Sequence, residues 1–382
     1  MATTPGQGPL TGVRVVELAG IGPGPFAAVL LADLGADVVR VDRPGGPGLA
    51  IDPAYDVTNR NKRSVIVDLK APDGAARVLD LAARADILVE GYRPGVAERL
   101  GVGPDACHAR NPRLVYGRMT GWGQDGPLAD RAGHDIAYIA RTGALGMIGA
   151  PGEPPAVPAN LLGDYAGGSL YLVVGVLAAL HHARATGEGQ VVDAAIVDGT
   201  AHLSAMIHGM LAAGGWQDRR GANLLDGGCP YYGTYETADG RYMAVGALEP
   251  RFYEEFVALL GLPGHADARE DIGRWGELRE AVAARFRTRT RDEWTAVFDG
   301  TDACVAPVLT LGEAPHDPHL AARGTFTDHA GITQPAPAPR FSATPTAVRT
   351  GPARPGAGTA DVARDWDVPG LSAHPEPTKG LA

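Results

Sequence analysis

Five short apolar runs, each continuous or nearly so, lie in the first third of the chain: VRVVEL (Val13–Leu18), VVRVD (Val38–Asp42), SVIVDL (Ser64–Leu69), ILVE (Ile87–Glu90) and LVYGRM (Leu114–Met119). Between them, FAAVLLADLGA (Phe26–Ala36) and PDGAARVLDLAARA have helical spacing, and Pro72 opens the second where a first helical turn tolerates it. Strands that are apolar on both faces must be covered on both faces. Alternation with helices supplies that cover in a parallel sheet. The fold class expected for this part is therefore α/β, a Rossmann-like domain with a parallel sheet.

Further along, the pattern changes. From Gly133 to about Gly214 it is mostly helical. Thr234–Leu248 then reads as a hairpin, with ADG as the turn between two alternating strands. Helices are expected over Arg251–Leu260, Glu277–Arg287 and Arg291–Phe298, and a strand over Cys304–Thr310. This makes a second, smaller α+β domain. After about Pro335 the chain is rich in Pro, Ala and Gly, which predicts an extended segment ending in a mobile tail.

Composition narrows the function classes. A net charge of -10 over 382 residues argues against a nucleic-acid binder. Cys107, Cys229 and Cys304 are isolated, so no disulfide framework is expected and a reducing, cytoplasmic location follows. The opening MATTPGQGPLTG has neither a basic start nor an apolar core, unlike a signal peptide. LYLVVGVLAAL (Leu170–Leu180) falls short of the ~20 residues of a spanning helix and predicts a buried helix, so no membrane partner is expected. His181, His182, His202 and His208 show no metal-ligand spacing, and no metal is expected. No G-x-S-x-G occurs.

One motif near the front invites a nucleotide reading. Gly22, Gly24 and Ala27 match G-x-G-x-x-A between a strand and a helix, and Asp42 closes the next strand. Pro23 and Pro25, however, remove N–H groups from the loop that would cradle a pyrophosphate, which argues against NAD. Cations gather at neighbouring strand ends: Arg40, Arg43, Arg60, Lys62, Arg63, Lys70 and Arg93. They fit either a solvated rim or a ligand carrying several phosphates, which Arg forks suit.

Two further stretches carry polar groups at helix starts. GHDIAY sets His134 beside Asp135, and NLLGDYAGGS sets Asp164 before a long apolar run. Taken singly, an acid before a helix is more often an N-cap than a catalyst. Taken together, a His and an Asp could be two proton-handling groups aimed at one substrate.

The segments GPLTGVRVVELAGIGPGPFAAVLLADLGADVVRVDRPG, NKRSVIVDLK, AGHDIAYIA, NLLGDYAGGS, GQVVDAAIVDG and DGRYMAVGALEPRFY, in this order, resemble the α-methylacyl-CoA racemases, which share the family III CoA-transferase fold. The resemblance runs from Gly8 to about Arg340. It implies an interlocked homodimer with the active site shared between chains. It divides the chain into a large CoA-binding domain (1–190 with 335–382), linker helices (191–232), a small domain (233–320) and a return linker (321–334). Carried onto this sequence, it implies His134 and Asp164 as the catalytic pair, with Asp135 beside them and Glu249 of GALEP paired to the His. CoA contacts are implied at Arg43, at Val67, Asp68, Leu69 and Lys70, at Arg93, and around Gly133 and Tyr138. CoA would enter as part of the substrate, with no separate cofactor. One departure is Ala137, where the family usually has Asn, a change that bears on acyl-chain packing.

The chemistry implied is proton removal from the carbon beside a thioester carbonyl and its return on the other face. Two groups of matched basicity are needed. A free imidazole titrates at ~6.5. A free aspartic acid titrates at ~3.9, so holding it half neutral at pH 7 requires ~4 kcal/mol of differential stabilisation. Burial can supply this, whereas a helix N-terminus works against it. The same fold implies a rival reaction, CoA transfer between carboxylic acids with Asp164 as nucleophile. That branch generally carries a Gly-rich loop where this chain reads GALEPRFY, and lacks the His. A CoA- or nucleotide-binding protein without chemistry is the third possibility.

Overall fold

Six parallel strands form the sheet of the larger of two units in this protein, seen in a computed structural model that describes residues 7–45 and 51–373. The elements run β1 (Arg14–Leu18), α1 (Pro23–Asp33), β2 (Asp37–Asp42), β3 (Lys62–Ile66), α2 (Gly74–Ala82), β4 (Ile87–Glu90), α3 (Val96–Arg99), α4 (Pro104–Arg110), β5 (Val115–Thr120) and α5 (Asp135–Arg141). A π-helical segment, Leu161–Ser169, leads into α6 (Leu170–Thr186), followed by β6 (Val191–Ala195) and α7 (Ile196–Leu203). Strand order is β3-β2-β1-β4-β5-β6. The chain reverses direction across the sheet between β1 and β4, and ligands of such folds bind outside the carboxyl ends of the strands at that point.

The period of two along each strand divides the sheet between two cores. Val15, Ile87 and Val115 face Leu31 of α1 and Leu172 and Val176 of α6. Their neighbours Val16, Leu88 and Tyr116 face Leu81 of α2 and Cys107 of α4. Each fully buried Val or Leu contributes about 1.5–3 kcal/mol relative to exposure. Both faces need apolar side chains, which is why these runs lack polar alternation.

The C-terminal stretch departs from its expected form. It does not end as a loose tail within the described residues. A helix at Thr359–Asp365 packs on β3, and Val362, Trp366 and Leu371 join the second core. Trp366 Nε1 donates to Asp37 Oδ2 at 2.8 Å. Packing of this indole, rather than local propensity, orders the segment. The expected mobile end itself falls on 374–382, outside the described residues.

Two domain boundaries also move. The sequence expects linker helices over 191–232, yet residues 191–195 are strand β6, paired with β5 from Tyr116↔Val191 to Thr120↔Ala195. As an edge strand with only Ala194 and Ala195 buried, it carries no continuous apolar run to announce it. Residues 196–203 also belong to the large unit, as do residues from Ala321 onward. The supposed return linker contains an antiparallel pair, β10 (Phe326–His329) with β11 (Ile332–Pro335).

The apolar helix is longer than its most apolar run suggests. Leu161–Thr186 is 26 residues of continuous helix, long and apolar enough by length and composition to cross a membrane. In the folded unit its Leu172, Val176 and Leu180 are buried in the first core, while Leu170 and Val174 face outward.

The smaller unit comprises Gly143–Pro158 and Ser204–Leu320. It contains α8 (Ala205–Ala212) and a three-stranded antiparallel sheet of β7 (Tyr232–Glu236), β8 (Tyr242–Gly246) and β9 (Val305–Pro307). Helices α9 (Pro250–Leu260), α10 (Trp275–Phe286) and α11 (Arg291–Phe298) share an aromatic core of Tyr235, Tyr253, Phe256, Phe286 and Trp294.

Candidate active site

A cleft of about 690 Å³ opens at the carboxyl ends of the parallel strands, within the size range of small-molecule sites. Leu18 of β1, Val41 of β2, Val89 of β4 and Met119 of β5 reach it from the sheet, and the loops that follow these strands form its walls. Every residue lining it belongs to the large unit.

The cations of the front third sort into two groups. Arg40 pairs with Asp42 at 2.9 Å, Arg60 with Asp33 at 2.6 Å, and Lys62 with Glu17 at 2.7 Å, all six side chains buried. These pairs are structural. Arg43, Lys70 and Arg93 line the cleft instead, with Val67, Asp68, Leu69, Gly133 and Tyr138. The structure thus brings together all the residues at which CoA contacts are expected. Arg131 lines the same cleft and was not anticipated; it lies in a loop with no periodicity to mark it.

His134 and Asp164 both line this cleft. His134 occupies the N-cap position of α5, its backbone is extended, and its side chain makes no capping hydrogen bond. The imidazole is left exposed rather than spent on the helix start. Asp164 lies in the first turn of the π-helical segment. π-type turns concentrate at functional sites. Asn160 Nδ2 donates to Asp164 Oδ2 at 3.3 Å.

Asp164 is half-buried, and burial holds its carboxyl above the usual carboxylate range. Asn160 pulls it down, the charge of Asp135 pushes it further up, and His134 lies near enough to pull it down. Desolvation outweighs the hydrogen bond and the imidazole, so the net shift is upward.

Asp135 does a different job from its neighbour. It does not line the cleft. It is buried, and its Oδ2 accepts the backbone N–H of Asp164 at 2.7 Å. Gly163 makes this approach possible, since a Cβ there would collide with Asp135 Oδ2.

The Gly–Pro loop suspected of binding a nucleotide forms one wall. Gly22 has φ 70° and ψ -119°, and a Cβ on it would lie 3.1 Å from Asp164 Oδ2. Ser169 Oγ lies 2.7 Å from Pro23 O, and Phe26 stacks on Tyr165 with centroids 4.2 Å apart. The loop is thereby packed against the segment that carries Asp164. Across the cleft, Tyr138 meets Trp122 edge to face at 4.7 Å, and Gly121 and Gly133 leave room for its ring. Burial raises the Tyr138 phenol, with Asp164 pushing the same way and Arg93 opposing.

Glu249 lies in the smaller unit, at the N-cap of α9. Ala137 of α5 is partly exposed and does not line the cleft.

Known proteins resemble this chain over nearly its whole length. The model of CoA-transferase family III matches residues 10–360. A human protein named alpha-methylacyl-CoA racemase is 47% identical over 88% of this chain and 87% of its own. A Chloroflexus aurantiacus protein named succinyl-CoA–D-citramalate CoA-transferase is 33% identical over 90% of this chain and 91% of its own. Among solved structures, a CAIB/BAIF family protein from Brucella suis superposes with a TM-score of 0.83 at 28% identity, over 94% of this chain and 100% of that one. The chain belongs to CoA-transferase family III.

Proposed function

We propose that this protein racemises 2-methylacyl-CoA thioesters. One of His134 and Asp164 takes the proton from the α-carbon, and the C–H electron pair moves into the thioester carbonyl as an enolate. The other returns a proton to the opposite face. Each turnover leaves the two groups with exchanged protonation, so the pair works in both directions. Ala137 and Tyr138 of α5 donate their N–H groups to His134 O, and the N–H groups of Asp135 and Ile136, beside His134, suit the enolate oxygen.

The observation that carries this reading is that His134 and Asp164 line one cleft, where burial raises the Asp164 carboxyl from its ordinary range. Arg43, Lys70 and Arg93 suit the phosphates of CoA at the same strand ends. The relative at 47% identity supports the substrate class. The resemblance further suggests that Glu249 of a second copy completes the site by orienting the imidazole, in a homodimer.

A second reading has support from relatives named CoA-transferases, among them two at 33% and 32% identity. In it the Asp164 carboxylate attacks the thioester carbon and CoA leaves, giving a mixed anhydride. One experiment separates the two. A single epimer of a 2-methylacyl-CoA is incubated with the protein in deuterated buffer without a free acid. Racemisation gives α-deuteration and loss of optical purity. No α-deuteration in this incubation, with acyl exchange once a free acid is added, would overturn the racemase reading.

A further inference from the structure

The cleft floor holds a carboxylate that the proton transfers do not use. Glu90 ends β4, is 2% exposed and borders the cleft. Its Oε2 accepts the backbone N–H of Tyr92 at 2.6 Å, and its Oε1 lies 3.3 Å from Arg118 Nε. Arg118, on β5, also binds Glu98 of α3. The carboxylate therefore ties the end of one strand to the turn Gly91–Pro94 and, through Arg118, to the helix beyond it.

That turn lines the cleft and carries Arg93. Arg93 is close enough to act electrostatically on Tyr138, and Arg43 on Tyr92. Among the described residues, Arg118 and Tyr116 from β5, Glu98 from α3 and Tyr92 from the turn itself face Glu90.

We propose that Glu90 is a positioning residue for substrate binding, whose ionised carboxylate holds the Gly91–Pro94 turn so that Arg93 meets the anionic part of a CoA thioester. This rests on the CoA reading given above. Burial pushes the Glu90 carboxyl up to about 7, against the Tyr92 amide and Arg118, which favour the charged form. Glu90 is thus ionised above neutrality and neutral below it. A neutral carboxyl is a weaker acceptor for the Tyr92 amide and loses the ionic attraction to Arg118. Affinity for CoA compounds then falls as pH drops through neutrality.

The test is calorimetric titration of the full-length protein with dephospho-CoA, which lacks the 3′-phosphate that would titrate in the same range. Wild-type affinity is expected to fall by up to about tenfold between about pH 8 and pH 6, in proportion to the fraction of protein with Glu90 ionised. Glu90→Gln keeps an acceptor for Tyr92 and should bind with little pH dependence. In turnover of a dephospho-CoA thioester, KM should carry this pH dependence in the wild type and lose it in Glu90→Gln, with kcat following its own profile in both. An unaltered pH dependence of affinity in Glu90→Gln would overturn the proposal. Arg118→Gln provides a second arm: it removes the cation that favours the charged form, so the midpoint should move to higher pH, and an unmoved midpoint also counts against Glu90. Failure of the wild type to bind any CoA compound at any pH would instead remove the CoA reading itself.

Discussion

The carboxylate of Asp135 accepts the backbone N–H of Asp164 at 2.7 Å, so the residue next to one candidate base anchors the other. His134 and Asp135 are adjacent in a helix start, yet their side chains part: one lines the cleft, and the other lies buried behind it. A single two-residue motif thus bears on both the position and the electrostatics of the proposed pair.

Replacing Asp135 separates these effects. Asp135→Asn keeps an oxygen for the Asp164 amide and removes the charge that pushes Asp164 up. The Asp164 limb of the pH–rate profile should move to lower pH. Asp135→Ala also leaves the amide unpaired, at about 1–3 kcal/mol, and should lower the melting temperature as well. An Asp135→Asn profile superimposable on the wild type would refute the electrostatic part.

His134→Ala and Asp164→Asn are each expected to lower α-proton exchange by ~10²–10⁴. The measure is deuterium incorporation per turnover at saturating substrate. Losses below about tenfold for both would dismiss a two-base mechanism.

Gly22→Ala should reduce activity through Asp164. The new methyl would crowd Asp164 Oδ2 at 3.1 Å, and φ 70° is a conformation that L-residues rarely adopt. Backbone strain of this kind is worth about 1–3 kcal/mol. We expect at least about a tenfold drop in kcat, with CoA affinity changed far less, as read from steady-state kinetics beside calorimetry.

Lys62 lies under the same wall. Its ammonium is 2.7 Å from Glu17 and donates to Pro25 O at 2.9 Å, in the first turn of α1. Lys62→Met leaves the Glu17 carboxylate buried without a counter-ion, which costs about 3–5 kcal/mol. Denaturant unfolding should show that loss, and Lys62→Met with Glu17→Leu should recover most of it. A single variant as stable as the wild type would show that the pair contributes nothing.

Much of the large unit was legible in the chain. Ile87–Glu90 is a strand as read, β1 and β2 differ from their expected bounds by one residue at one end, and β5 by one residue at each end. β3 was less well bounded: it runs Lys62–Ile66, ending well before Leu69, because the chain turns at the cleft where Val67–Lys70 form a wall. β6 was missed because an edge strand half open to solvent has no need of a continuous apolar run. The helix at Thr359–Asp365 was missed because it is stabilised by docking on β3.

The order of apolar runs along the chain was sufficient to dictate a parallel sheet with two cores, because side-chain periodicity is a local property of a strand. The GHDIAY and GD motifs singled out His134 and Asp164 only through the resemblance to the α-methylacyl-CoA racemases, since each residue by itself reads as an ordinary helix start. Which cations face the ligand, which carboxylate titrates near neutrality and which aspartate merely holds another were decided only by the tertiary structure. Those properties come from burial and from partners dozens of residues away, such as Glu17 for Lys62 and Arg118 for Glu90. Desolvation and Coulomb forces act through space, and that distance exists only once the chain has folded.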